Sequence, residues 1–91
     1  MNKTEVYILG QKYIIKGDKS PEYIQKLAAY VDEKLRKIYE QNPNIPPLRA
    51  AILGCLYIAD EFYELKEECS NLKEELKKLE EKANEILILL D

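Results

Sequence analysis

Histidine is absent from this 91-residue chain, which removes the commonest general base and the commonest nitrogen ligand for zinc. Only two cysteines are present, too few for a disulfide framework or for a metal site on the usual spacings. Long apolar runs are also missing. The longest, Ile86 to Leu90, falls far short of the ~20 residues a membrane-spanning helix needs. No basic-then-apolar stretch opens the chain, so a reducing cytoplasm is the expected compartment and membrane insertion is not expected. An excess of basic residues is lacking too: fourteen Lys and Arg against seventeen Asp and Glu leave a net charge of -3, which argues against a surface that coats nucleic acid. What is there is 46% apolar and 34% charged. Such a chain is too apolar for a disordered tail, and its length suits one domain with a small core.

Cys55 and Cys69 lie in apolar, helical surroundings. On a single helix, fourteen residues at ~1.5 Å each separate them by ~21 Å, beyond an intrachain bridge. They read as small buried hydrophobes; a disulfide between chains or a reactive thiol is the alternative.

Only the start of the chain reads as strand. Residues 5–9 and 12–16 are rich in Val, Ile and Tyr, and Gly10-Gln11 between them suits a two-residue type II′ turn. That turn sets Leu9 opposite Lys12, Ile8 opposite Tyr13, Tyr7 opposite Ile14, Val6 opposite Ile15 and Glu5 opposite Lys16. Val6, Ile8, Tyr13 and Ile15 then share one face, Tyr7 and Ile14 the other. Both faces want a cover, because a lone hairpin is marginal in water.

Ser20-Pro21-Glu22 has the signature of a helix start: a side-chain cap, a proline in the first turn, and an acid at the positive end of the dipole. Ile24, Ala28, Val31, Leu35 and Ile38 follow at steps of four and three, which predicts an amphipathic helix over 21–41. The prolines of Asn42-Pro43-Asn44-Ile45-Pro46-Pro47 end it.

From Pro47 no further proline intervenes, so a second helix of ~44 residues, about 65 Å long, is expected. That exceeds the diameter of any globule this chain could form, and part of the helix should project and need a partner. Leu48, Ile52, Cys55, Ala59 and Phe62 step by four and three. After a slip of register at Leu65, the series Cys69, Leu72, Leu76, Leu79, Ala83, Ile86 and Leu90 resumes. The stretch from Glu64 onward has coiled-coil composition. A single solvated helix is the alternative, but ion pairs at i,i+4 contribute only ~0.2–0.5 kcal/mol each and would leave the apolar seam wet. The expected architecture is α+β: a head of residues 1–63 (hairpin 5–16, helix 21–41, and a second helix from 47) and a coiled-coil stalk of residues 64–91. The head carries nine basic and eight acidic side chains, the stalk five and nine, so an acidic partner would meet the head.

Three stretches narrow the field: Val6-Tyr-Ile-Leu-Gly-Gln-Lys-Tyr-Ile-Ile, Glu22-Tyr-Ile-Gln-Lys-Leu-Ala-Ala-Tyr-Val-Asp-Glu-Lys-Leu, and Arg49-Ala-Ala-Ile-Leu-Gly-Cys-Leu-Tyr-Ile-Ala-Asp-Glu-Phe. Together they resemble the ZapA family of bacterial cell-division proteins over nearly the whole chain. Family members commonly carry Asn where Tyr57 stands and Ala where Gly54 stands. The resemblance implies a non-enzymatic regulator of the division ring. It would bind the tubulin-like GTPase FtsZ at midcell and cross-link its filaments. It also implies dimers through the head and a dimer of dimers through antiparallel stalks.

Gln11, Lys12, Arg36 and Lys37 are candidates for a basic partner surface at the hairpin tip and the exposed side of the first helix; ordinary solubilising charge is the bland reading. Arg49 sits unfavourably near a helix N-terminus and suggests a salt bridge within a dimer or a filament contact. Ile52, Cys55, Ala59, Phe62, Leu72, Leu76, Leu79, Ile86 and Leu90 are the candidate oligomer interface. Asp60-Glu61 is an acid pair without a base or nucleophile beside it, and reads as a solvated helix face. No catalytic, cofactor or metal residue is expected. The competing readings are a generic coiled-coil scaffold, a nucleic-acid-associated coiled coil, which the acidic stalk disfavours, and a prefoldin-like chaperone. In the last, however, the hairpin lies between two long helices rather than before both.

Overall fold

A computed structural model describes the backbone of residues 2–90 and the side chains of residues 2–86. The elements run β1 (Asn2–Ile8), β2 (Gln11–Gly17), α1 (Pro21–Gln41) and α2 (Pro47–Leu90). The class is α+β, a two-stranded antiparallel sheet followed by two helices. The chain divides into two compact units between Tyr57 and Ile58.

In the first unit, the hairpin turns on Leu9 and Gly10, which have φ of 53° and 77°. Two central residues with positive φ make a type I′ turn, whose twist matches that of the strands. This corrects the expected type II′ turn at Gly10-Gln11. The register moves with it: Ile8 pairs with Gln11, Tyr7 with Lys12, Val6 with Tyr13, Glu5 with Ile14, Thr4 with Ile15 and Lys3 with Lys16. A leucine in the left-handed region costs roughly 1–2 kcal/mol, and a hydrogen bond from its backbone N–H to Asp32 helps to offset this. The slip is two residues, so it changes cross-strand partners without turning side chains to the other face. The expected Glu5–Lys16 pair is lost, and Glu5 meets Lys12 on the diagonal at 2.8 Å instead.

The Ser20 Oγ accepts the Tyr23 N–H at 3.3 Å, and Pro21 occupies the first turn. At the other end of α1, the Asn42 N–H donates to the Ile38 carbonyl at 3.0 Å. The stripe read from sequence is the covered side of α1: Ala28 and Ile38 are buried, and Ile24, Val31 and Leu35 are half-buried. α1 packs against β1, burying Thr4 and Val6. Tyr13 and Ile15 of β2 share that face yet stay exposed, because α1 runs beneath β1 and not β2.

The start of α2 closes the small core. Ala50 is 1% exposed, and Gly54 is buried where α2 meets α1. A Cβ added at Gly54 would stand 3.1 Å from Leu35 Cδ2 and 3.7 Å from Ile38 Cδ1. A methyl here would therefore meet side-chain atoms of α1 and not open space.

In the second unit α2 runs without a break to Leu90. Leu72, Leu76 and Leu79 lie 58–65% exposed, with no other element of their unit to cover them.

Candidate functional site

Four of the five candidate partner-surface residues already have contacts within the chain. Gln11 follows the turn, and its Oε1 accepts the Tyr13 hydroxyl at 3.0 Å. Lys12 Nζ lies 2.8 Å from Glu5 Oε1, Arg36 Nε 2.8 Å from Asp32 Oδ2, and Lys37 Nζ 3.2 Å from Glu33 Oε1. All three cations are more than half exposed. Pairs of this kind contribute roughly 0–1 kcal/mol, but each sets a carboxylate beside its cation. The surface is thus a mosaic of paired charges rather than a bare basic patch.

Asp32 organises that mosaic, and the reading of motifs missed it. Its Oδ1 accepts the Leu9 N–H at 2.7 Å while its Oδ2 accepts from Arg36. One carboxylate therefore ties α1 to the hairpin turn and holds Arg36 next to that turn. These bonds, the backbone one first, hold the Asp32 carboxyl below the usual carboxylate range, and Lys12 does the same for Glu5. The available signal was the Asp32–Arg36 spacing of four on a helix; the reach to Leu9 depends on tertiary packing.

Arg49 stands apart from this group. It forms no ion pair among the described residues, and it borders an apolar groove of about 270 Å³ with Ile45, Ile52, Leu53 and Leu56. No acid among the described residues accounts for a cation near that helix start.

The candidate interface residues on α2 are uncovered. Ile52 and Cys55 are exposed in the first unit; Ala59, Phe62, Leu72, Leu76, Leu79 and Ile86 are exposed in the second. The Leu90 side chain lies outside the described residues. Both cysteines are free and exposed in the single chain, so their burial as small hydrophobes would have to come from a second copy. Phe62 and Tyr63 meet edge to face at 5.4 Å, with Lys66 Nζ 6.0 and 5.8 Å from their ring centres. Beside them a shallow groove of about 420 Å³ runs along Leu65, Cys69 and Lys73.

Among the described residues no group of His, Cys, Asp and Glu side chains could hold a metal ion. No helix there is long and apolar enough to cross a membrane.

The family profile described as "Cell division protein ZapA" matches residues 4–87. A protein of that description from Geobacillus kaustophilus (strain HTA426) is 42% identical over 76 residues, 84% of either chain. One from Bacillus thuringiensis (strain Al Hakam) is 36% identical over 77 residues, 85% of this chain and 86% of the relative. Among solved structures, a ZapA mutant dimer from Geobacillus stearothermophilus superimposes with a TM-score of 0.65 at 39% identity. The match covers 84% of this chain and 88% of that one. A profile match over residues 4–87 and relatives 36–42% identical over most of the chain place it in one family: the chain belongs to the ZapA family of cell division proteins.

Proposed function

We propose that this protein is a non-enzymatic cross-linker of FtsZ filaments at the division site in the cytoplasm. Residues 1–63 act as a filament-binding head, and residues 64–91 as a stalk that joins heads to one another. The observation that carries the reading is the apolar seam of α2: Leu72, Leu76, Leu79 and Ile86 lie exposed, with no cover among the described residues. A helix with such a seam buries it against another helix, and the solved relative described as a dimer supports a second copy as that helix. Ile52, Cys55, Ala59 and Phe62 continue the interface towards the head, and a dimer of dimers places heads on both sides of the assembly. Gln11, Lys12, Arg36, Lys37 and Arg49 supply the filament-facing surface. Arg49, which has no acid partner among the described residues, has the strongest claim to a contact in another chain.

Cross-linking then follows from valence. Once one head is bound, a second head on the same assembly meets its site at an effective concentration of order mM. The test is sedimentation of purified FtsZ with GTP, with and without the protein, with negative-stain microscopy of the pellet. Bundled filaments containing the protein are expected. Filaments that pellet unchanged and without it would reject the reading.

A further inference from the structure

The free edge of β1 is open and has a groove beside it. The Leu9 N–H points away from β2, because it donates to Asp32 on α1. Its peptide bond is trans, so the Ile8 carbonyl points the opposite way, towards β2. Alternation along an antiparallel strand then turns the N–H and C=O groups of Tyr7, Glu5 and Lys3 to the free edge. Glu5, Val6 and Tyr7 form one wall of a groove of about 260 Å³, and Gln25, Ala28, Ala29 and Asp32 of α1 line the other. The two alanines leave room that larger side chains would fill. Asp32 closes one end by occupying the last outward N–H, and Gln25 lines the α1 wall at the other.

We infer that this edge takes an extended segment of the filament partner as an added strand, with an aliphatic side chain over Ala28 and Ala29 and a carboxylate beside Lys3. The inference rests on the filament-binding reading above and adds the β1 edge as a further contact beside the filament-facing residues given there. Charge favours an acidic occupant: Lys3 stands directly opposite Lys16, and neither has an acid partner among the described residues. A second copy fits less well. The self-pairing register that uses all three outward residues sets Glu5 against Glu5, and like charges opposite one another destabilise a ladder. Backbone bonding supplies the affinity in such strand addition, and alternate side-chain positions supply the selectivity.

The test is residue-resolved hydrogen–deuterium exchange on the full chain, with and without FtsZ filaments assembled in GTP. The amides of Lys3, Glu5 and Tyr7 should slow at least ~10-fold with filaments, while Leu9, already bonded, changes little. Unchanged exchange at those three overturns the inference. So does protection already present without filaments and lost on dilution, which would mean that a second copy holds the edge. Glu5→Pro provides an independent arm, because proline at an outward position removes an edge donor and spares the ladder to β2. Ile14→Pro makes the same change at the outer edge of β2. Glu5→Pro should co-sediment about 10-fold more weakly than the parent, as expected for the loss of one or two hydrogen bonds, and Ile14→Pro as well as the parent. If the parent itself fails to co-sediment, the filament-binding reading falls. If parent and Glu5→Pro bind equally, only the strand-addition proposal falls.

Discussion

Asp32 on α1 accepts the backbone N–H of Leu9, at the hairpin turn, at 2.7 Å. The bond spans 23 residues of sequence and lets a leucine occupy a turn position that usually falls to Asn, Asp or Gly. Through the same carboxylate, Arg36 is held beside the turn.

That arrangement makes the head acid-sensitive in a defined direction. The Asp32 carboxyl is held below its ordinary range in the folded chain. Its contribution is therefore complete above the unfolded value and is lost as pH falls through the folded one. Urea midpoints of the parent should drop on acidification below the usual carboxylate range. Asp32→Asn should be less stable at neutral pH and show a shallower drop, with a remnant from Glu5, whose carboxyl is shifted the same way. Parallel acid profiles for parent and variant would mean that the bond contributes nothing to stability.

Gly54 tests the contact between the helices. Alanine gains about 1 kcal/mol of helix propensity over glycine, against a Cβ that would stand 3.1 Å from a methyl of Leu35. Leu35 is only half-buried, and a shift of its side chain by a few tenths of an ångström would accommodate the methyl. Gly54→Ala should therefore raise the melting temperature, by a few degrees at most, and Gly54→Leu should lower it. A fall in melting temperature for the alanine variant would show that Leu35 is fixed in place.

The cysteines give a chemical readout of association. Both thiols are exposed on one helix and are ~21 Å apart by helical rise. Mild oxidation should give covalent dimers on a non-reducing gel and no faster-migrating monomer. An intrachain-bridged monomer would require α2 to break between Cys55 and Cys69.

Much of this fold is legible in the sequence because the signals are local. Ser20-Pro21 marks the start of α1, the four-and-three stripe marks its covered side, and the absence of proline after Pro47 gives α2 its length. The hairpin register was not legible. Gly10 fits either a II′ turn as its first central residue or a I′ turn as its second, and the choice rests on Asp32, which is 23 residues away in sequence. Both registers keep Val6 and Ile8 on the same face, so hydrophobic patterning does not separate them. The head surface was half legible for a related reason. Sequence names the cations, but Lys12 finds Glu5 only across strands, and Arg36 is held at the turn only through Asp32. The exposure of both cysteines was hidden because an apolar seam reads the same whether its cover comes from within the chain or from a second copy.

If the stalk makes the cross-links, Leu76→Glu should separate filament binding from bundling. A buried leucine contributes ~1.5–3 kcal/mol over an exposed one, and a carboxylate set against an apolar seam costs several kcal/mol more before relaxation. Every chain of a tetramer would carry the change, while Ile52, Cys55 and Phe62 remain to hold the dimer. The measurement is light scattering of parent and variant at micromolar concentration, paired with low-speed and high-speed pelleting of FtsZ assembled in GTP. The parent should have a mass near four chains and the variant a mass near two, with the variant still entering the high-speed filament pellet, though more weakly, and giving little low-speed bundle pellet. A variant that is dimeric yet bundles filaments as well as the parent would contradict cross-linking by the stalk.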